Sequence, residues 1–328
     1  MYQVSILIPI YNVEEYIERC VRSLMEQTYD NIQYVFVDDF SPDNSCRILE
    51  NVIHDYPQRV PNVLIIKHEH NRGLSAARNT ALSNATGFFI LHVDSDDYVE
   101  RDAVEQLVKR QVETDADIVT GLTLIEYKDY KEVLELREYP SVRDMTIDVI
   151  KPTIRHTIWG RLIKSSLYQD YCIRAKEGTN VGEDAQVMPC LSYYAKNVTN
   201  CYHLTYHYNC ENENSYVHQT DDVSKLCRRG LQDIDSYLVL RDFFKDKDRE
   251  FYNEAEKCIS TFCQLLMENY IRSSNKNGFD KIKKIYKGLG CGRVLVAPWQ
   301  LLHSLTCYNY WYCKISHIIL SPIIKIIS

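Results

Sequence analysis

The sequence predicts an α/β fold: a Rossmann-like, mostly parallel sheet with helices on both faces, followed by a C-terminal helical appendage. Three observations predict it. Short apolar runs of strand length alternate with stretches of helical apolar period through the first half of the chain. The first, second and fourth runs end in polar clusters, where open α/β sheets bind their ligands. A length of 328 residues, with 45% hydrophobic and 25% charged content, suits one large domain with a substantial core plus an appendage.

The first run, "VSILIPI" from Val4 to Ile10, has the unbroken apolar character of a buried parallel strand. Asn12 with Glu15 three residues later predicts a capping box, and Ile17, Cys20, Val21, Leu24 and Met25 then mark one helical face. "QYVFVDD" is the second strand. Ser41 and Pro42 follow as a helix cap and first-turn proline, with Ile48, Leu49, Val52 and Ile53 facing inward. "VLIIKH" is the third strand, leading to a helix from about Leu74 to Ala85 whose inward residues are Leu74, Ala77, Ala81 and Leu82. "FFILHV" is the fourth, followed by a helix through Ala103, Val104, Leu107 and Val108, and "DIVTGLTLIEY" adds a further strand. Beyond about Thr220 the periods become long and helical, in "DDVSKLCRRGLQDIDSYLVLRDFF" and "EFYNEAEKCISTFCQLLMENYI". Two domains are expected, 1–218 and 219–328.

Twelve cysteines lie singly between Cys20 and Cys313 with no CxxC pair, which reads as reduced, mostly core-filling thiols rather than a disulfide or zinc scaffold. "MYQVSILIPIYN" has no basic leader and reads as a strand, so a cytoplasmic location is expected. No apolar run reaches the ~20 residues of a membrane span; Pro322 and Lys325 interrupt the longest. The net charge of −7 is unevenly placed: residues 276–328 carry eight basic side chains against Asp280, or +7, leaving −14 on the rest. No nucleic-acid partner is expected. The tail pattern fits peripheral contact with an anionic membrane, at the inner face of the plasma membrane, as well as it fits a helix packed on its own domain.

"FFILHVDSDDYVERD" runs an apolar strand into Asp94, Asp96 and Asp97. Close carboxylates repel one another unless a cation sits among them. Mg²⁺ or Mn²⁺ takes such oxygens together with substrate phosphates. By spacing alone the plainer reading leads, with Asp97 or Asp102 capping the next helix and the others solvated. An EF-hand fails, because Val99 stands where its turn needs glycine and Tyr98 where it needs an oxygen donor. No GxGxxG follows the first strand and no GxxxxGK[ST] occurs, so any phosphates are left to metal and side chains.

"SILIPIYNVEEYIERCVRSLMEQTYDNIQYVFVDDFSPDNS", "HNRGLSAARNTAL", "DSDD", "IWGRLIKSSLY" and "EGTNVGEDAQVMPCL", in this order, resemble the successive motifs of the family 2 glycosyltransferases as far as about Ser215. The resemblance implies the GT-A fold. It also implies metal-dependent, inverting transfer of one sugar from a nucleotide-diphosphate donor, a UDP-sugar foremost, to a hydroxyl of a glycan or lipid-linked acceptor in polysaccharide biosynthesis. Matched positions place Pro9, Tyr11 and Asn12 under the nucleotide base and Glu14 at the ribose or base. Asp39 would accept from the uracil ring with Asp38 beside it, and Asn71, Gly73, Arg78 and Asn79 would line the nucleotide, Arg78 facing diphosphate charge. Relatives more often carry glycine at Phe40, which leaves the shape of that turn open. Asp94, Ser95 and Asp96 match the family DxD, with Asp96 and Asp94 as metal ligands and Asp96 the more direct.

In "GEDAQ" the resemblance puts Glu183 at the substrate and makes Asp184 the catalytic base; read alone, the pair is an acidic helix start. Trp159 and Arg161 stand where relatives carry Trp and Lys, and Trp159 either stacks on a sugar or fills the core. "HLTYHYNCENENS" is similar to the segment that closes over the diphosphate, with His203 or His207 a further metal or phosphate ligand or a satisfied strand histidine. Two other functions fit less of the chain. A sugar-1-phosphate nucleotidyltransferase needs a glycine- and arginine-rich loop after the first strand, which "IPIYNVEEYIE" lacks. A non-catalytic nucleotide-sugar or glycan-binding module needs no base such as Asp184.

Overall fold

The computed structural model describes residues 1–153, 156–212 and 223–289. The chain divides into two compact units, Met1–Glu213 and Asn214–Ser328. The first is built on a nine-stranded sheet. Its strands are β1 (Val4–Ile10), β2 (Ile32–Asp38), β3 (Val63–Lys67), β4 (Phe89–His92), β5 (Tyr98–Val99), β6 (Ile118–Glu126), β7 (Lys131–Leu134), β8 (Arg161–Lys164) and β9 (Val198–Asn209). The order is β3-β2-β1-β4-β8-β6-β9-β5, with β7 on β6. Strands β3, β2, β1 and β4 are parallel. Beyond β4 the sheet is mixed: β8 is antiparallel to β4 and β6, β9 is parallel to β6, and β5 and β7 close antiparallel on β9 and β6.

The helices of this unit are α1 (Ile17–Met25), α2 (Ser45–His54), α3 (Leu74–Ser83), α4 (Ala103–Thr114), α5 (Val142–Ile150), α6 (Ser165–Gln169) and α7 (Glu183–Tyr194). Alternation along β1 sends Val4, Ile6, Ile8 and Ile10 into one core with Tyr34, Phe36, Phe89 and Leu91 and the apolar faces of α1, α2 and α4. Helix α3 takes no part in that core and packs on β1 and β2, which puts it on the opposite face. Its Ala76, Ala77 and Ala81 are buried, and such small side chains let a helix lie close to a sheet.

Pro9 is a buried residue of β1 and not part of the loop under a base. It is tolerated because pairing to β4 has already ended at Leu7 and His92, so its missing N–H breaks no ladder bond on that side. Neither expected helix cap forms. Helix α1 starts at Ile17 with Tyr16 at its N-cap, while Asn12 occupies a left-handed turn, φ 55°. Helix α2 starts at Ser45 with Asn44 at its N-cap, and Ser41 instead accepts from the Asn12 N–H at 3.4 Å. Asp102 holds the N-cap position of α4, but its carboxylate binds His203 and Gln106. Cys20, Cys190, Cys201, Cys227, Cys258 and Cys263 are buried.

The second unit contains α8 (Val223–Phe244), α9 (Arg249–Arg272) and α10 (Lys276–Lys287). Asp248 caps α9 by accepting from Glu250 and Phe251, and Asn275 caps α10 by accepting from Gly278. Ile234, Tyr237, Leu240 and Phe244 of α8, Ile259, Cys263 and Leu266 of α9, and Phe279 and Ile282 of α10 are all buried. Lys281, Lys284 and Lys287 are exposed. Among the described residues no helix is long and apolar enough to cross a membrane. The rest of the basic tail, from 290 onward, lies outside the described residues, as does the membrane contact expected of it.

Candidate active site

Arg78 organises the site. It sits in the middle of α3 with 4% of its surface exposed. One terminal nitrogen donates to Asp94 Oδ1 at 2.7 Å. The other reaches Glu183 Oε1 at 2.6 Å and Asp184 Oδ1 at 2.5 Å. Three carboxylates from the end of β4 and the first turn of α7 therefore share one guanidinium, and its Nε has no hydrogen-bond partner among the described residues. Burial pulls the Arg78 pKa down, but Asp184, Asp94 and Glu183 together raise it well above its ordinary value. Burial likewise raises the Glu183 carboxyl to about 8, against the pull of Arg78. Asp184 is also raised by burial, with Arg78 opposing and Asp94 adding to the rise. Its Oδ2 accepts from the Ile158 N–H at 3.4 Å.

The acidic turn after β4 is anchored residue by residue. Asp97 is fully buried, accepting from Tyr206 Oη at 2.7 Å and from the Asn209 N–H at 2.8 Å. Tyr206 Oη in turn accepts from the Asp94 N–H at 3.2 Å, so one β9 hydroxyl ties both ends of the turn. Asp96 accepts from Asn212 Nδ2 at 2.9 Å. Burial, then Asp94, raises the Asp96 carboxyl, while burial, then Asp96 and Asp94, raises Asp97 well above the carboxylate range. Ser95 is buried between them. Among the described residues no three His, Cys, Asp or Glu side chains gather as a ready metal cage. The available donors are carboxylate oxygens of Asp96 and Asp94, the hard-ligand chemistry that Mg²⁺ and Mn²⁺ take when phosphates complete the shell.

The ends of β1 and β2 form a second cluster. Asp39 is 3% exposed and fully engaged: His68 Nδ1 lies 2.6 Å from Oδ1, which also accepts from the Arg72 N–H at 2.8 Å, and Oδ2 accepts from the Gly73 N–H at 2.7 Å. Gly73 adopts φ 89°, a conformation that strains any residue with a Cβ, and a Cβ there would also meet Asn180 Oδ1. Asp38 accepts from the Ser41 N–H at 2.9 Å, and Glu14 accepts from the Asn44 backbone and side chain at 2.9 and 2.8 Å. Tyr11 and Asn71 are exposed. Phe40 takes φ 62°, so the turn keeps the left-handed shape that glycine would adopt without strain.

The segment before α7 is fastened along α3. Glu177 pairs with Arg72 at 3.1 Å, Asn180 accepts from the Leu74 N–H at 3.2 Å, Ser75 donates to the Thr179 carbonyl, and Asn79 donates to Ala175 at 2.8 Å. These contacts carry Asp184 to the end of β4. Asn180, Asn212, Tyr206 and His68 had no local signal in the sequence; each acts on a partner from a distant segment.

Four residues raised as site candidates are taken up by contacts within the protein. Trp159 is a core ring, 5% exposed, stacked parallel to Tyr206 and Tyr208 at 4.9 and 5.1 Å. With Arg161 it lines a small cavity together with Thr120, Gly121 and Leu134. His203 pairs with Asp102 at 2.9 Å. His207 stacks on Tyr98 and contacts Glu100 at 2.8 Å, so both histidines serve the β5–α4 side of β9.

The comparisons agree with this architecture. The family model "Glycosyl transferase family 2" matches residues 5–169. Glycosyltransferase GlyA of Streptococcus pneumoniae is 36% identical over 179 residues, 51% of this chain and 25% of that protein. The minor teichoic acid biosynthesis protein GgaB of Bacillus subtilis is 29% identical over 229 residues, 68% of this chain and 25% of that protein. The chain thus spans about a quarter of the length of these relatives. Among solved structures, S. aureus TarS residues 1–349 in complex with UDP-GlcNAc superposes with TM-score 0.56 at 18% identity, covering 87% of this chain and 91% of that one. Mannosyltransferase PcManGT from Pyrobaculum calidifontis, in complex with GDP-Man and Mn²⁺, gives 0.54 at 14% identity over 97% and 87%. Both likenesses are of fold, and the fold is GT-A. With its family motifs in order along a sheet of this topology, the chain belongs to glycosyltransferase family 2.

Proposed function

We propose that this chain is an inverting, metal-dependent glycosyltransferase that moves one hexosyl unit from a UDP-sugar to a hydroxyl of a glycan or lipid-linked acceptor in polysaccharide assembly. The observation that carries the reading is the Arg78 cluster, which gathers Asp94, Glu183 and Asp184 at the end of β4. A binding module has no use for a buried, raised carboxyl beside a phosphate site. Nucleotide sugars bound to TarS and PcManGT support the donor class.

In this reading Asp184 takes the proton from the acceptor hydroxyl. The freed oxygen bonds to the anomeric carbon from the face opposite the diphosphate, the carbon–oxygen bond to the diphosphate breaks, and an α-linked donor gives a β-linked product. Arg78 holds Asp184 by Oδ1, and burial makes the carboxylate a stronger base than a solvated one. Asp96 and Asp94 would hold Mg²⁺ or Mn²⁺ when the ion is bound, and it would supply countercharge to the diphosphate. Tyr11, Asn12, Glu14, Asp38, Asp39, Asn71 and Gly73 form the nucleotide side. Asp39 works there mainly by holding the Arg72–Gly73 turn in shape.

The test is nucleoside diphosphate release from a panel of UDP- and GDP-sugars with Mn²⁺ and a broad set of acceptors. Asp184→Asn is expected to bind donor like the wild type while transfer falls about 10²–10⁴-fold. Asp96→Asn is expected to weaken Mn²⁺-dependent donor binding itself. Near-normal transfer by Asp184→Asn removes it as the base, and turnover of no nucleotide sugar turns the reading toward a binding module. The exposed lysines of α10 support peripheral contact with an anionic membrane surface. Equal partitioning of full-length protein and a chain ending near Arg293 onto anionic vesicles would remove the tail from that role.

A further inference from the structure

We propose that Phe40 is a stacking contact for the nucleobase. The ends of β1 and β2 are in register through Ile10 and Asp38, and the Asp39 N–H donates to the Ile10 carbonyl at 2.9 Å. Tyr11 follows Ile10 directly, and Phe40 lies one residue beyond Asp39 in the turn after β2. Their turns are tied by the Asn12 N–H to Ser41 Oγ at 3.4 Å.

Each turn contains a left-handed residue, Asn12 at φ 55° and Phe40 at φ 62°. Asparagine adopts that conformation readily; a bulky side chain takes it only under strain. Core packing normally offsets such strain, but here it does not, because the Phe40 side chain is 58% exposed. Tyr11 is 46% exposed, and neither ring stacks on another aromatic ring among the described residues. The backbone is therefore held in an unfavourable state with the Phe40 ring exposed beyond the C-terminal end of β2. Strain kept without a packing return marks a functional position.

A flat, apolar-faced ligand is what the exposed Phe40 ring suits. Nucleobases stack on aromatic side chains with little regard to identity, since every base has a π-face. Phe40 thus adds affinity without selecting the base. The inference depends on the nucleotide-sugar reading above.

The experiment titrates uridine monophosphate into the wild type, Phe40→Gly and Phe40→Tyr by calorimetry, with thermal unfolding of each. Phe40→Gly is expected to melt at the same or a higher temperature, since glycine relieves the turn, while affinity for uridine monophosphate drops about tenfold. Guanosine monophosphate, where it binds, should lose the same factor, and Phe40→Tyr should restore wild-type affinity. Uridine monophosphate affinity within about twofold of wild type in Phe40→Gly overturns the proposal alone. A wild type that binds no nucleotide overturns the parent reading and this one with it.

Discussion

Replacing Arg78 with methionine keeps most of the side-chain length and removes the cation that Asp94, Glu183 and Asp184 share. Arg78 is 4% exposed, and Glu183 and Asp184 are 6% and 8% exposed, so water does little to compensate. Removing one partner of a buried ion pair costs ~3–5 kcal/mol. Proton uptake sets a ceiling of similar size: holding an ordinary aspartic acid protonated near neutral pH costs ~4 kcal/mol. Glu183 already lies at about 8, so without Arg78 it is neutral and the remaining cost falls on Asp184, which burial also raises. A carboxyl whose folded pKa is raised binds its proton in the folded state before the unfolded one, so stability rises as pH falls toward the unfolded value. The slope is ~1.4 kcal/mol per pH unit for each group. Urea denaturation with a chelator present should therefore show Arg78→Met ~3–5 kcal/mol less stable than wild type near pH 7.5. Acidification by about two pH units should recover ~2–3 kcal/mol of that difference. A loss under ~1 kcal/mol, or one that does not shrink on acidification, would show that the carboxylates do not depend on Arg78.

Two further substitutions test the supports and the helical unit. Tyr206→Phe strips one hydroxyl from Asp97 and from the Asp94 N–H, and each buried group left unpaired costs ~1–3 kcal/mol. A denaturation midpoint unchanged in this variant would mean that the acidic turn is held by other contacts. In α8, burial raises Asp233 to about 6, with Arg229 opposing. At pH above that value its ionised form burdens the fold, so Asp233→Asn should stabilise by ~1–2 kcal/mol near pH 7.5, after discounting for partial exposure. The gain should fade toward about pH 4, where folded and unfolded states both hold the proton. A gain that persists in acid would assign it to something other than titration.

Much of the molecule was legible from short-range pattern. Strands β1 to β4 and helices α1, α3 and α4 fall within a few residues of their apolar runs, because burial on two faces leaves unbroken apolar strands and burial on one leaves a helical stripe. The caps were not legible. Asn12 and Ser41 have the right chemistry for helix starts, but the crevice uses them in turns that tie β1 to β2. Trp159 had the right type for a sugar platform, and its neighbours on β9 made it core.

Local pattern therefore accounts for where carboxylates end strands and for the glycine of the "NRG" turn, since a strand's period and a turn's φ depend on adjacent residues. It says nothing of which charges meet. Arg78 finds Glu183 and Asp184 at separations of 105 and 106 residues, and Asp97 finds Tyr206 at 109. Those pairings exist because the segment before α7 is fastened along α3 and β9 returns beside the acidic turn. A buried charge takes whatever partner folding brings within hydrogen-bond reach, and that reach is a property of the packed chain.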